Sequence, residues 1–143
     1  MLDTTVLVYV HGTDHELRGP CRDLIHAIGE GSLRATTTVE VIQEFLHVRS
    51  RGRDRRSATR DARSFIELLT PLLPVDESTL RHGLDLFGSS PELGAFDSVL
   101  AAAALASGAR ALVSADRAFG AVPGLLHVAP TDDGVAALLS GSS

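Results

Sequence analysis

Short apolar segments of strand type alternate with helical patterns along almost the whole chain of 143 residues. This alternation favours an α/β fold, a sandwich in which helices cover both faces of a central, mainly parallel sheet. Ligand sites in such folds lie beyond the carboxyl ends of the strands. The expected strands are LDTTVLVYV from Leu2, RATTT from Arg34, LLPV from Leu72, RALVSAD from Arg110 and GLLHV from Gly124.

The segments between these strands repeat apolar residues at the spacing of a helix face. Thr38 is suited to cap one helix, Pro71 ends the next, and Gly108 closes the longest. The chain end, 141–143, is expected to be disordered. The expected helices are 15–29, 38–49, 58–69, 77–87, 92–109 and a final short one at 133–139, with a loop at 49–57.

Composition limits the class and the compartment of the protein. The length suits a single domain, 1–143, and 44% hydrophobic residues is typical of a globular chain. No apolar run reaches the roughly 18 residues that cross a bilayer, so no membrane contact is expected. Cys21 is the single cysteine and has no internal disulfide partner, which together with the absence of a signal segment predicts a cytoplasmic location.

Four carboxylates lie in segments that are otherwise apolar. Asp3 lies in the first expected strand, Asp116 directly after another, and Glu44 and Asp97 within apolar helices. Each has an ordinary explanation, since Asp116 could form a turn and Glu44 could face solvent, as Glu40 one turn earlier is expected to do. Asp97 is the hardest to explain in this way, because its apolar neighbours should be buried and no basic residue is near it in the sequence.

Carboxylates that converged on one edge of the sheet would repel one another and raise their own pKa values. A divalent cation would remove this conflict, and oxygen ligands are those preferred by Mg²⁺ and Mn²⁺. Such an ion lowers the pKa of a bound water and neutralises the charge of a phosphate, which suits hydrolysis of a phosphodiester. The sequence has no GxxxxGK loop, no GxGxxG turn, no lysine and no nucleophile elbow, so the corresponding enzyme classes are not indicated.

The chain resembles the PIN-domain nucleases and, among them, the VapC toxins. The resemblance is carried by LDTTVLVYV, TTTVEVIQEFLHV, LGAFDSVLAAAALASGARALVSAD and the RAF that follows, which together span nearly the whole chain. It implies that Asp3, Glu44, Asp97 and Asp116 bind metal and support catalysis. It also implies supporting hydroxyls at Thr4 or Thr5 and at Ser114.

The resemblance further implies a PIN-like α/β/α sandwich and a Mg²⁺- or Mn²⁺-dependent endoribonuclease that arrests growth by cleaving tRNA, rRNA or mRNA. It implies a homodimer and a cognate VapB antitoxin that inserts a basic side chain into the acidic pocket. Some relatives carry a further acidic residue in the segment after Asp116, where this chain has RAF, and many have a longer strand before Asp3. Glu40 remains a rival for Glu44. The alternatives are a DNA-directed nuclease of similar fold and a non-catalytic module whose acids only hold a partner's arginine.

Seven of the 13 basic residues, all arginines, lie between residues 49 and 63, although the formal net charge is -5. Arginine suits phosphate because its planar guanidinium donates two hydrogen bonds at once. The alternatives are a solvent-exposed surface partly neutralised by Asp54 and Asp61, or a docking surface for the antitoxin. The candidates for contact with RNA are Arg51, Arg53, Arg55 and Arg56.

Overall fold

A computed structural model describes residues 1–141 of the chain. Within this range two short strands, β1 (Leu112–Val113) and β2 (His127–Val128), and a 3-10 helix at Arg117–Ala121 accompany the α-helices. The chain end at 141–143 was expected to be disordered, and its residues 142 and 143 lie outside the described range. The α-helices are α1 Thr4–His11, α2 Arg18–Gly29, α3 Val39–Ser50, α4 Arg55–Leu69, α5 Glu77–Ser89, α6 Ala95–Ser107 and α7 Asp132–Ser140.

A small parallel sheet and its short extensions form the frame of the molecule. β1 pairs with β2 in parallel, and Leu2 forms a parallel bridge with Val113 on the other side of β1. The Leu2 N–H donates to the carbonyl of Thr36 at 3.0 Å, which places the segment before α3 next to the chain start. A further parallel bridge joins Thr38 to Leu73. The α/β fold with parallel pairing is confirmed, but helices account for far more of it than strands.

The prediction that LDTTVLVYV forms the first strand is wrong after Leu2. Leu2 alone of this segment forms a bridge, and the chain then enters α1 at Thr4. Asp3 caps α1, because its side chain accepts from the N–H of Thr5. Apolar β-branched runs of this length are ambiguous, since a buried helix and a buried strand have the same apolar pattern. Val6 and Leu7 are fully buried, so this helix is part of the core.

The other expected strands are real in position but shorter than predicted. RATTT and LLPV are reduced to the single bridge between Thr38 and Leu73, and RALVSAD and GLLHV to the two residues each of β1 and β2. The helices agree better, since α3 begins directly after its Thr38 cap as predicted. α4 begins at Arg55, three residues earlier than expected, because Asp54 caps it through the Ser57 N–H.

α5 and α6 pack closely against each other, and this packing positions the N-terminus of α6, where Asp97 lies. A Cβ at Gly83 of α5 would lie 2.8 Å from the Cα of Val99 in α6, so only glycine allows this approach. Ala101–Ala104 of α6 are buried in the core, which fixes the rotation of the helix. No helix within residues 1–141 is long and apolar enough to span a membrane.

Candidate functional site

Asp3 lies at the junction between the bridge at Leu2 and helix α1, and it is 4% exposed. Its Oδ2 accepts from the hydroxyl of Thr5 at 2.8 Å, from the hydroxyl of Ser114 at 2.6 Å and, more weakly, from the N–H of Thr5 at 3.4 Å. Its Oδ1 accepts no hydrogen bond from residues 1–141. The donors therefore fix the carboxylate through one oxygen and leave the other available for a ligand.

The turn that follows β1 is fixed by the same hydroxyls. The Ser114 hydroxyl accepts from the N–H of Asp116 at 3.0 Å, and that of Thr5 accepts from the N–H of Ala115 at 3.0 Å. His127 Nε2 lies 2.9 Å from the carbonyl oxygen of Ser114. Because a carbonyl oxygen only accepts, this contact requires the proton on Nε2. Ser114 and Thr5 thus connect Asp3 to the turn that carries Asp116, and His127 is a contributor that the sequence did not indicate.

Glu44 reaches the same region from α3. The hydroxyl of Thr4, the first residue of α1, donates to Glu44 Oε2 at 2.6 Å. A bond of this length to a carboxylate is a strong, charge-assisted one, and it joins α1 to α3 beside Asp3. The structure gives this contact to Glu44 and not to its rival Glu40, one turn earlier in α3, although both residues are exposed.

Asp97 lies in the first turn of α6 and is half-buried. Burial, followed by the negative charges of Asp3, Asp116 and Glu44, raises the pKa of Asp97 from its usual value near 4 to about 6. Charges act over short range in this way, so Asp3, Asp116 and Glu44 each lie close enough to Asp97 to disfavour its charged form. The sequence expectation that the apolar neighbours of Asp97 are all buried is only partly right, because Phe96 is 78% exposed.

A cavity of about 400 Å³ contains three of the four acids, Asp3, Glu44 and Asp97, in its lining. Apolar side chains complete its wall, including Phe96 and Leu80. Three more carboxylates also line the cavity, namely Glu40, Asp76 and Glu77. Glu40 was expected only as a rival for Glu44. The location of Asp76 and Glu77 depends on how α3, α5 and α6 are brought together, and no local sequence signal indicates it.

The arginine-rich segment is separate from this cavity. Asp61 is buried and binds Arg49 at 3.0 Å, while Asp54 is engaged as the cap of α4. The expected neutralisation therefore does not extend to the four candidate arginines, which are exposed and have no ion pair among residues 1–141. Four arginines line a shallow groove of about 550 Å³ along α4: Arg55, Arg56, Arg60 and Arg63. Arg51 and Arg53 lie in the preceding loop.

Comparison with protein families gives one match, the PIN domain, over residues 1–125. This match covers most of the chain and includes all four carboxylates. The chain belongs to the PIN-domain family. The order of the segments that carried the resemblance, and the α/β fold with its parallel pairing, agree with this membership.

Several curated relatives come from Mycobacterium tuberculosis and are named as VapC ribonucleases. The chain is 50% identical to Ribonuclease VapC7, with 97% of each chain covered. It is 33% identical to Ribonuclease VapC23 over 67% of this chain and 75% of the relative. It is 27% identical to Ribonuclease VapC13 over 90% of this chain and 98% of the relative.

The donor set of this PIN-domain site fits a divalent cation. Within residues 1–141, no three His, Cys, Asp or Glu side chains are already arranged as a complete metal-binding group. Mg²⁺ does not need such a group, because proteins usually hold it through one or two carboxylates and several waters. The free Oδ1 of Asp3, and the burial and repulsion that raise the pKa of Asp97, are the features that a cation would satisfy.

Proposed function

We propose that this chain is an endoribonuclease of VapC type that depends on Mg²⁺ or Mn²⁺ and serves as the toxin of a toxin–antitoxin pair. The observation that carries the proposal is the cavity that Asp3, Glu44 and Asp97 line from distant parts of the chain, where burial and then the charges of Asp3, Asp116 and Glu44 raise the pKa of Asp97. A stable fold gains nothing from such repulsion, so a cationic ligand is the physical reason to keep it. The ribonuclease names of the relatives support RNA as the substrate.

Asp3, Glu44, Asp97 and Asp116 would hold the cation. When bound, Mg²⁺ or Mn²⁺ supplies a water of lowered pKa and neutralises charge on the phosphate. Thr5 and Ser114 orient Asp3 through its Oδ2, and Thr4 orients Glu44 through its Oε2. These hydroxyls keep the carboxylates in place before substrate arrives, so little reorganisation is needed at the moment of reaction.

The exposed arginines that follow α3 suit phosphates of the RNA some distance from the cleaved bond. Glu40 and Glu44 lie on one face of α3. Arg51, the C-cap of α3, continues this face, because it follows Glu44 by seven residues, or about two helical turns. At a rise of about 1.5 Å per residue, Arg51 follows Glu44 by about 10 Å along the helix axis. A strand bound at the acidic site could thus continue along this face to Arg51, Arg53, Arg55 and Arg56. Contacts of this type add affinity and salt dependence without choosing a sequence.

The partners in this proposal follow from the VapC resemblance. They are a VapB-type antitoxin that places a basic side chain among the carboxylates, and a second copy of the chain in a homodimer. A cytoplasmic location and a cellular target such as tRNA, rRNA or mRNA belong to the same proposal. The carboxylates of the cavity lining, of which only Glu77 has an ion pair among residues 1–141, support the antitoxin part, since a guanidinium would relieve the repulsion that a cation otherwise relieves.

Cleavage of RNA by the purified protein tests the proposal. We expect hydrolysis of a structured RNA with Mg²⁺ or Mn²⁺ and none with EDTA. Asp97→Asn should lower the rate at least about 100-fold, because it removes one of the charges that hold the ion. Asp23→Asn, on the exposed face of α2, is the matched control and should cleave like the wild type.

Full activity of Asp97→Asn, with circular dichroism equal to that of the wild type, would refute the assignment. Single-stranded DNA is assayed in parallel with Mn²⁺. Cleavage of DNA in preference to RNA would favour the DNA-directed alternative, and no metal-dependent cleavage of either would favour a docking module.

A further inference from the structure

Phe96 is the most exposed of the large apolar side chains in residues 1–141, at 78%, and it directly precedes Asp97 in the first turn of α6. Single exposed apolar residues are common on protein surfaces and need no explanation by themselves. This one differs by its position, because it lines the same cavity as Asp3, Glu44 and Asp97. A rigid helix therefore presents an aromatic ring next to the carboxylates of the proposed nuclease site.

The remaining lining indicates what can lie against this ring. Leu80 is 44% exposed and contributes apolar surface to the cavity, together with Val75 and Val99. The area around Phe96 is therefore a partly exposed apolar wall. A planar apolar ligand that covered it would gain free energy from the area removed from water.

The charge of the cavity excludes a second phosphate from this wall. Beyond the acids of the proposed metal site, the lining carries Glu40, Asp76 and Glu77 and no basic side chain. Arg81 pairs with Glu77 at 2.6 Å and so compensates only one of these three charges. Phosphates would be repelled here, whereas an uncharged planar base would not. A ligand on this wall must therefore be planar and uncharged there, and it must be joined to the phosphate that is cleaved at the neighbouring carboxylates. A nucleotide meets both conditions.

We propose that Phe96 is a stacking platform for an unpaired nucleobase of the RNA, on a nucleotide adjacent to the cleaved phosphate. This proposal rests on the proposed function, since the metal site determines where that phosphate lies. Aromatic side chains bind single-stranded RNA in this way with little sequence preference, because every base has a π-face. The site therefore selects an unstacked nucleotide in a loop or single strand over a base-paired one.

Binding of a labelled single-stranded RNA of ten nucleotides and random sequence, followed by fluorescence anisotropy in Ca²⁺, tests the proposal. The intact length of the probe is verified on a gel. Phe96→Ala should weaken binding about tenfold, the usual effect of losing one stacked base. Phe96→Trp should restore affinity, while Phe96→Leu, which is apolar but not aromatic, should not. A ten-unit ribose phosphate oligomer without bases should bind the wild type and Phe96→Ala equally.

Phe87 gives a matched control, because it is a half-exposed phenylalanine of α5 that does not line the cavity. Phe87→Ala should bind the RNA like the wild type. Equal binding by Phe96→Ala and the wild type would overturn the proposal, as would an equal loss of affinity for the oligomer without bases. A change of molar mass in light scattering for Phe96→Ala, with RNA binding unaltered, would overturn it in favour of a protein partner on this ring.

The base site and the proposed function can fail separately. In one combination of results, the wild type cleaves RNA with Mg²⁺ or Mn²⁺ and Asp97→Asn loses this activity, while Phe96→Ala binds RNA as tightly as the wild type. That combination would refute the base site alone. Binding of bases through Phe96 by a chain that cleaves no nucleic acid would refute the nuclease assignment and leave the base site standing.

Discussion

At the scale of single residues, Asp97 shows how far local sequence can indicate a site. Its apolar context and the lack of a basic neighbour identify it as a carboxylate that is costly to bury. The structure adds that three other carboxylates contribute to this cost, which no local pattern could reveal. The exposure of its neighbour Phe96 was not predictable either, because an apolar residue in an apolar helix is expected to face the core.

The raised pKa of Asp97 makes the metal-free protein less stable as the pH rises. An unfolded Asp97 would titrate near 4 and the folded one near 6, so its penalty is absent below pH 4, grows between the two values and is complete above pH 6. Asp97→Asn should therefore raise the free energy of unfolding at pH 8 in EDTA by about 1 kcal/mol, after allowance for the solvent around a half-buried group.

Urea denaturation at pH 8, 6 and 4.5 measures this effect. The stability gain of Asp97→Asn should shrink as the pH falls, and Asp23→Asn should show no such trend. A loss of stability at pH 8, or a gain that does not depend on pH, would mean that burial of the Asp97 charge and its repulsion by the other carboxylates are not the cause.

At the scale of elements, the sequence predicted helices better than strands. Helical periodicity extends over 12 or more residues in α2, α3 and α4, so the apolar pattern repeats several times in each. The cap at Thr38 was recognised and gave the start of α3, whereas the cap at Asp54 was not, so α4 was predicted three residues too late. Each strand is two residues long, too short for any alternation to be read. The error at α1 has another cause. Its β-branched residues matched a strand, and the capping role of Asp3 was not recognised.

The close packing of α5 on α6 determines where Asp97 lies. Gly83→Ala would place a Cβ 2.8 Å from the Cα of Val99, so α6 must move. The strain costs about 1–3 kcal/mol, and the better helix propensity of alanine offsets about 1 kcal/mol of it. We expect a net loss in the free energy of unfolding of up to about 2 kcal/mol and a lower kcat for RNA cleavage, because the carboxylate of Asp97 shifts with its helix.

Gly88→Ala is the control in the same helix, since nothing lies within 4 Å of a Cβ at that position. Chemical denaturation should show no loss of stability for this variant, and cleavage should be unchanged. If Gly83→Ala is as stable and as active as Gly88→Ala, the contact between the two helices does not control the site.

At the scale of the whole molecule, short parallel segments bring distant residues to one place. The chain start lies between the segment before α3 on one side and β1 on the other, so that Asp3 and the Ser114 turn become neighbours. The general rule for sites at the carboxyl ends of parallel strands predicted this meeting of Asp3 with Asp116. The rule could not predict the approach of α6 or the additional carboxylates of the cavity, which depend on helix packing over long sequence separations.

Calorimetric titration of the metal-free protein with Mn²⁺ tests the central claim most directly. The claim is that Asp3, Glu44, Asp97 and Asp116 act together as one cation site. We expect a saturable binding heat for the wild type and for Asp23→Asn, and at least a tenfold weaker affinity for Asp97→Asn and for Asp3→Asn. Binding of equal strength in the wild type and in both of these carboxylate variants, or no binding in any of them, would contradict the account.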